Sequence, residues 1–321
     1  MKTQIIALSL LAATTFPVLA QSAGLEAVKT EEGIRIREGT ADVLFYQRRT
    51  KSLAGKYARA NYVHPLYDLD GNVLTEDFPE DHRHHRGIFW AWHQLWVGDR
   101  KIGDPWTTRD FVWDVQQATT TTHRDGSLSI AAHVQWKSPK WKTSKGELQP
   151  LVKERVRIRV YPAQTDARAI DFTIQLRALH DDMMIGGSED VKGYGGFSPR
   201  IRLPEDVRFL GEKGEMTPLR TSVKAGRWLD IVGTFNEGGK QSGLAILCHP
   251  TLPVFPPPWI LRAKRSMQNA VYPGEKPVPF PKEKSLVLRY RLVVHRGIPA
   301  RDVLQMWQSC YESSPVQMLA E

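Results

Sequence analysis

Apolar and polar residues alternate at period two in segment after segment of this chain, and a strand is the element that buries one side of such a segment. Ile34 and Ile36 alternate with Arg35 and Arg37, and Val156, Ile158 and Val160 with Arg155, Arg157 and Arg159. The same spacing runs through Ile170, Phe172, Ile174 and Leu176, and through Leu286, Leu288, Tyr290, Leu292 and Val294. Successive side chains of a strand face opposite ways, so each run offers one face to a core and one to water. Turn residues separate the runs, among them Asp70-Gly71-Asn72, Arg124-Asp125-Gly126 and Tyr272-Pro273-Gly274. Many short strands joined this way predict an all-β chain built as a large antiparallel β-sandwich. A short C-terminal helix is predicted over Ala300 to Tyr311, where Val303, Met306, Trp307 and Cys310 fall on one side and would cover an edge or end of the sheets. The prolines between Pro250 and Pro258 predict a rigid extended loop, because proline fixes φ and cannot donate to a ladder.

Residues 1–20 predict a signal peptide: Lys2, an apolar stretch from Ile5 to Ala13, and the small-residue ending Val18-Leu19-Ala20. The stretch is shorter than the roughly 20 residues a membrane span needs, and no later segment is apolar for long enough to cross a bilayer. A mature body of residues 21–321 is therefore expected as one exported sandwich domain, periplasmic or secreted, with no transmembrane segment. Its two cysteines, Cys248 and Cys310, could pair in an oxidising compartment or stay unlinked, so the hydrophobic core has to supply most of the stability. The formal net charge of +9 favours acidic partners. For an exported chain with no nucleic-acid recognition motif, these are anionic glycans or a charged envelope surface, not nucleic acid.

Between Asp81 and His93 the chain reads Asp81-His82-Arg83-His84-His85-Arg86-Gly87-Ile88-Phe89-Trp90-Ala91-Trp92-His93. Imidazole exchanges protons near neutrality, with an unperturbed pKa of about 6.5, and also ligates metals. Guanidinium holds anions, and indole stacks on apolar or sugar faces. If the backbone is extended, His82 and His84 share one face and His85 takes the other. A His-x-His pair can chelate a zinc-like ion, but a metal site needs a third ligand, and Arg83 and Arg86 oppose a cation beside the pair. A polar ligand site fits the composition better, with imidazoles as donors and proton carriers, Arg86 as an anion clamp and Gly87 allowing close approach.

Other segments supply partners. Trp90 and Trp92 point the same way in a strand beginning near Ile88 and read as core, whereas Trp96 and Trp106, among Gly98, Asp99, Gly103 and Asp104, read as loop indoles able to stack on a sugar ring. Glu154 and Asp171 are isolated carboxylates at strand positions, each either a general base or a solvated charge. The run from Gly186 to Arg200 is rich in glycine, which lets a backbone curl close to a ligand, and it carries Glu189, Asp190, Lys192, Tyr194 and Arg200. His249-Pro250 and Trp259 make a third polar and aromatic corner. No nucleophile elbow, dinucleotide fingerprint, phosphate loop or His-Glu-x-x-His helix is present, which removes serine hydrolases, Rossmann oxidoreductases and the common zinc proteases.

The segments Tyr62-Val63-His64-Pro65-Leu66-Tyr67 with Asp70-Gly71, Asp81 to Gly87, Trp228-Leu229-Asp230-Ile231-Val232-Gly233, and His249-Pro250 with Trp259 resemble the landmarks of a bacterial domain-of-unknown-function family labelled PmoA-like, or methane oxygenase. The resemblance covers roughly Gly33 to Gly297. It implies a setting in exported carbohydrate metabolism and a body similar to the supersandwich of galactose mutarotase-like proteins. A membrane copper oxygenase needs several spanning helices and this sequence predicts none, so the carbohydrate setting carries the expectation. Aldose epimerases use a His-Gly-Gly stretch and a later histidine; His85-Arg86-Gly87 is loosely similar to the first, and Lys192 to Arg200 holds no histidine for the second.

The leading expectation is acid/base chemistry on a sugar or acidic sugar derivative, by a lyase, hydrolase or epimerase. His84 or His85 would donate the proton, Glu154 or Lys192 would be the base, and Arg86 and Arg200 would hold an anion. His64, Asp81, His82, Trp96, Trp106, Tyr194, His249 and Trp259 would complete the ligand surface. Two alternatives stand beside it: a non-enzymatic glycan-binding module, and an enzyme whose only cofactor is a divalent metal on His82 and His84.

Overall fold

A computed structural model describes residues 24–236, 238–315 and 319. The signal peptide expected over residues 1–20 lies outside the described residues. The alternating runs form strands, and the strands form two large antiparallel sheets. One has eight strands in the spatial order Leu25–Lys29, Gly33–Glu38, Ala41–Gln47, Tyr62–Leu66, Ile88–Trp92, Gly195–Pro199, Asn269–Val271 and Trp259–Ile260. The other has nine: Val112–Thr122, Leu128–Lys142, Leu148–Val160, Ala167–Ala178, Leu286–Arg296, Ser242–Cys248, Trp228–Gly233, Arg208–Gly211 and Gly214–Met216. The main core lies between them, joining Ile36, Val63 and Trp90 from the first to Ile158, Phe172, Leu244 and Tyr290 from the second. The all-β sandwich expected from the alternation is the observed fold. A smaller sheet of Val278–Pro279, Met183–Gly186, Gln94–Val97 and Arg100–Gly103 accompanies the two.

Register explains why the alternation works. Ile158 lies opposite Phe172 and Phe172 opposite Tyr290, all at most 1% exposed, while the neighbouring row Arg159, Asp171 and Arg291 faces outward. Each large apolar side chain so buried contributes about 1.5–3 kcal/mol. Asp171 accepts from Arg291 Nε at 2.6 Å and Nη2 at 2.9 Å, so of its two sequence readings the structure places it as an ion-paired surface charge.

The helix forms at Arg301–Glu312, but its buried side is Leu304, Gln308 and Tyr311. Met306 is 54% exposed and Cys310 is exposed, so of the expected face Trp307 packs against the sheet while Met306 and Cys310 turn away from it. Leu304 and Tyr311 meet Trp228, Leu247 and Val293 on the outside of the nine-stranded sheet, and Gln308 Nε2 donates to the Cys248 carbonyl at 2.8 Å. Cys248 is buried in the main core and both cysteines are free thiols. Among the described residues no helix is long and apolar enough to cross a membrane.

The strand Ile88–Trp92 is buried on both faces, which positions everything below. Ile88, Trp90 and Trp92 point into the main core, as their alternation predicts. Phe89 and Ala91 point outward into a second apolar cluster with Tyr62, Trp106 and Met267, and Tyr194 packs against it.

Candidate functional site

The chain enters that strand through a turn, not an extended segment. The backbone N–H of His85 donates to the His82 carbonyl at 2.9 Å, and this three-residue closure stacks the His82 and His85 rings 4.7 Å apart and within 3° of parallel. His84 stands edge-on to both, at 5.7 Å from His82 and 4.7 Å from His85. The shared face expected for His82 and His84 is thus replaced by a His82–His85 stack, because the backbone turns where an alternating pattern would need it straight. Gly87 ends the turn at φ 39°, where a Cβ would overlap the Val63 carbonyl oxygen. Its absent side chain serves the approach of the neighbouring strand, not of a ligand.

Two Asp–His pairs flank His84. Asp81 receives both terminal nitrogens of Arg200, at 2.7 and 3.0 Å, and lies 2.6 Å from His82 Nδ1. Arg200 is 1% exposed; its Nε donates to Glu76 at 2.7 Å, and its Nη1 is 3.4 Å from His85 Nδ1. The second pair is His93 Nδ1 to Asp104 Oδ2 at 3.0 Å. The His93 ring stacks on Trp106 at 5.1 Å, and Trp106 continues to His85 at 6.0 Å and Tyr194 at 5.7 Å. In each pair the carboxylate faces Nδ1, the ring nitrogen that donates to it, and a neutral ring so oriented presents Nε2 as the acceptor.

Burial first, and then the neighbouring imidazoles of His82 and His93, push the His84 pKa down to about 4. His85 lies well below the ordinary histidine value, from burial first and then from His84, His82 and Arg200. Burial raises the carboxyl groups of Asp81 and Asp104, but hydrogen bonds outweigh it, from Arg200 and His82 at Asp81 and from His93 at Asp104, so both titrate below the usual carboxylate range. Arg59 lies under this layer at 1% exposure, with its guanidinium 3.9 Å from the Trp113 ring centre and donating to the Pro105 carbonyl at 2.6 Å. Burial brings it down to about 9, so it remains charged at neutral pH. At pH 7 the site therefore holds His84 and His85 unprotonated between anionic carboxylates and fixed guanidiniums, as weak bases whose ring nitrogens are available as acceptors.

The remaining residues singled out from the sequence divide. Tyr194 joins the site through Trp106, and Lys192 stands 5.4 Å from the Tyr194 ring centre while paired to Asp190 at 3.0 Å. Trp106 is only 2% exposed and lies beneath the histidines, where a sugar cannot stack on it. Trp96 is in the strand Gln94–Val97, not in a loop, and its Nε1 donates to Gln94 Oε1 at 3.2 Å. Glu154 is fully buried between the sheets and accepts from Trp90 Nε1 and Trp136 Nε1, each at 2.6 Å, and from Asn61 Nδ2 at 2.8 Å. Burial holds its carboxyl above the ordinary range, and it has no path to the histidines: the core strand lies between. Arg86 is also buried. It pairs with Asp77 at 2.8 Å, donates to the Lys51 and Tyr57 carbonyls and lies 3.2 Å from the Phe78 ring centre, which leaves it a clamp on its own chain and not on a ligand.

His64 faces a separate cavity of about 270 Å³ with Arg35, Lys51 and Tyr67, and its Nδ1 pairs with Thr75 Oγ1 at 3.0 Å. His249 sits beside the C-terminal helix, with Arg289 Nη1 2.6 Å from its Nε2 and Tyr311 edge-on at 5.3 Å. Trp259 is a core indole donating to the Gly226 carbonyl at 3.0 Å. His64, His249 and Trp259 thus belong to other neighbourhoods. Among the described residues no group of three His, Cys, Asp or Glu side chains is arranged to hold a metal ion, so the His82 and His84 pair lacks the third ligand that a metal requires. The sequence reading overlooked Asp104 and His93, although the Gly-Asp-Pro-Trp stretch that carries Asp104 is polar, turn-forming and only eleven residues from the histidine.

Residues 34–308 match the family described as Family of unknown function (DUF6807). The chain belongs to this family. No curated protein matches it. The part of this DUF6807 chain that matches holds both Asp–His pairs, His84, Arg200 and Tyr194.

Proposed function

We propose that this DUF6807 chain performs acid/base chemistry on a sugar or acidic sugar derivative, with His84 as the proton acceptor and the Asp81–His82 and Asp104–His93 pairs as the groups that carry protons to and from it. The observation that carries the reading is the convergence of two oriented imidazoles on a third that is held neutral. A neutral imidazole accepts a proton, so the donor role expected for His84 or His85 is exchanged for that of a base. Asp81 and Asp104 act as positioning residues, each fixing which ring nitrogen carries the proton. The carbohydrate class rests on the site's polar, half-buried character and on the sequence resemblance to PmoA-like and galactose mutarotase-like proteins. Export is part of the same proposal and is supported by Lys2, the apolar stretch from Ile5 to Ala13 and the Val18-Leu19-Ala20 ending.

The test is a panel of neutral and acidic oligosaccharides and sugar lactones, incubated with the chain in deuterated water and followed by NMR. Bond cleavage, epimerisation or deuterium incorporation by the wild type, lost in His84→Ala, is the expected result. Turnover unchanged in His84→Ala overturns the assignment, and binding without turnover anywhere in the panel favours a glycan-binding module.

A further inference from the structure

Two clefts of different charge border the site, one mixed and one basic. On the Asp81 side an open cleft of about 920 Å³ is lined by Glu76, Glu80, Asp81 and Glu205 together with Arg200, Lys264 and Arg265. On the Tyr194 side a cavity of about 360 Å³ is lined by Lys192, Arg220 and Arg262, with Pro218, Leu219 and Ala263 and no carboxylate.

Arg262 organises this second cleft. Its Nε and Nη2 donate to the Tyr194 hydroxyl at 3.1 and 2.7 Å, its Nη1 to the Leu219 and Leu261 carbonyls at 2.6 and 2.8 Å, and its Nη2 to the Arg220 carbonyl at 3.0 Å. All five bonds go to uncharged acceptors. The guanidinium is therefore satisfied as a donor while its charge is left without a counterion, and it fixes the loop that presents Arg220. The Arg220 side chain is exposed and has no hydrogen-bond or ion-pair partner among the described residues. A phenol that accepts two hydrogen bonds keeps one proton to give, so Tyr194 adds a neutral donor at the same place. Its ring stands between Lys192 and Arg262, at 5.4 and 5.5 Å from their charged groups, and touches Trp106, on which His93 stacks.

We infer that the cavity at Lys192, Arg220 and Arg262 is an anion subsite that takes the carboxylate of a uronic-acid unit, with the rest of the sugar directed from Tyr194 toward the histidines. The planar fork of Arg220 matches a carboxylate in two parallel bonds, and the field of Arg262 draws the anion in without spending those donors, while the charge of Lys192 is shared with Asp190. The opposite cleft sets Glu76, Glu80, Asp81 and Glu205 against Arg200, Lys264 and Arg265 and so offers an anion no comparable excess of positive charge, which sets the direction in which a substrate lies. An anion seated there also reduces the positive field on the imidazoles. The inference rests on the acid/base reading for its placement beside His84, but the binding it describes does not require turnover.

The experiment is ligand-observed NMR titration with glucuronate- and galacturonate-containing disaccharides and their neutral glucose and galactose counterparts, on the wild type, Arg220→Gln, Arg220→Lys and His84→Ala. At least one uronate is expected to bind tenfold or more tighter than its neutral partner. Arg220→Gln should remove that preference, Arg220→Lys should restore part of it, and His84→Ala should retain it. Equal affinity for acidic and neutral members, no binding of any uronate, or a preference unchanged in Arg220→Gln overturns the subsite. Failure of the acid/base reading looks different: Arg220-dependent binding persists while His84→Ala turns substrate over normally. Inorganic phosphate titrated in parallel should compete weakly; phosphate that binds as tightly as the best uronate overturns the choice of a carboxylate.

Discussion

The strand Ile88–Trp92 separates two polar centres. On its inner side Glu154 holds three donors, the indoles of Trp90 and Trp136 and the amide of Asn61, at zero exposure. On its outer side His82 and His93 each give one ring nitrogen to a carboxylate, and His84 stands half-buried between them. The inner centre is closed, with each donor matched inside the protein and nothing able to reach it. The outer one is open, with His82, His84 and His93 each partly exposed at a surface that two differently charged clefts border. Burial and charge alone would rank Glu154 as the more unusual residue, yet it is uncommitted valence that separates chemistry from scaffolding here.

The sharpest way to break this contrast is to delete one residue from each centre. His84→Ala should lower turnover by about 10²–10⁴-fold, the span of a general base, while the urea midpoint stays near that of the wild type. Glu154→Ala should do the opposite and lose about 3–5 kcal/mol of stability, because three buried donors are left unpaired. Turnover per folded molecule should be retained in that variant. A Glu154→Ala protein of normal stability, or a His84→Ala protein that unfolds, would erase the distinction.

Acid provides the next test. His64 and His84 titrate at about 4 in the folded chain, against 6.5 for an unperturbed imidazole. Between those values the unfolded state binds more protons, so stability falls as pH drops from about 6.5 to about 4, by up to ~3 kcal/mol per imidazole. Urea unfolding across this window should show that slope, reduced in His84→Asn. If His84 is the base, the acid limb of kcat/KM in the free enzyme should likewise lie near pH 4. A limb near 6.5 would place proton acceptance on another group.

The smallest expected effect comes from the orienting carboxylates. Asp104→Asn and Asp81→Asn should each lower turnover by about 10–100-fold, the size usual for a residue that positions a functional imidazole. Their effect should appear in kcat more than in KM, since neither is placed against the ligand.

The contrast also explains what the sequence revealed. The sandwich was legible because period-two burial is a local property: Ile158, Phe172 and Tyr290 each announce their face within a few residues. The histidine run was legible as a site by its density. Its pairing was not, because the turn that stacks His82 on His85 is set by the Arg200 contact with Asp81, 119 residues away. Glu154 and Arg86 looked like reagents for the same reason. Asn61 lies 93 residues from Glu154, and Lys51, whose carbonyl takes Arg86, is 35 residues away; no local pattern shows that such charges are already satisfied. Asp104 was within reach of a sequence reading, since polar turn residues close to a histidine run are where an orienting carboxylate is expected. The helix was placed correctly but its buried side was not, because Leu304, Gln308 and Tyr311 are selected by the sheet face beneath them.

Phe89 and Ala91 are covered from outside by Trp106, and their strand is paired to Tyr62–Leu66 and Gly195–Pro199. Their amide hydrogens should exchange with solvent only when the whole sheet opens, which makes the floor beneath the histidines one of the slowest-breathing parts of the molecule. Any gating of substrate entry must then come from the rim, where residues 218–220 are tied down chiefly by the guanidinium of Arg262.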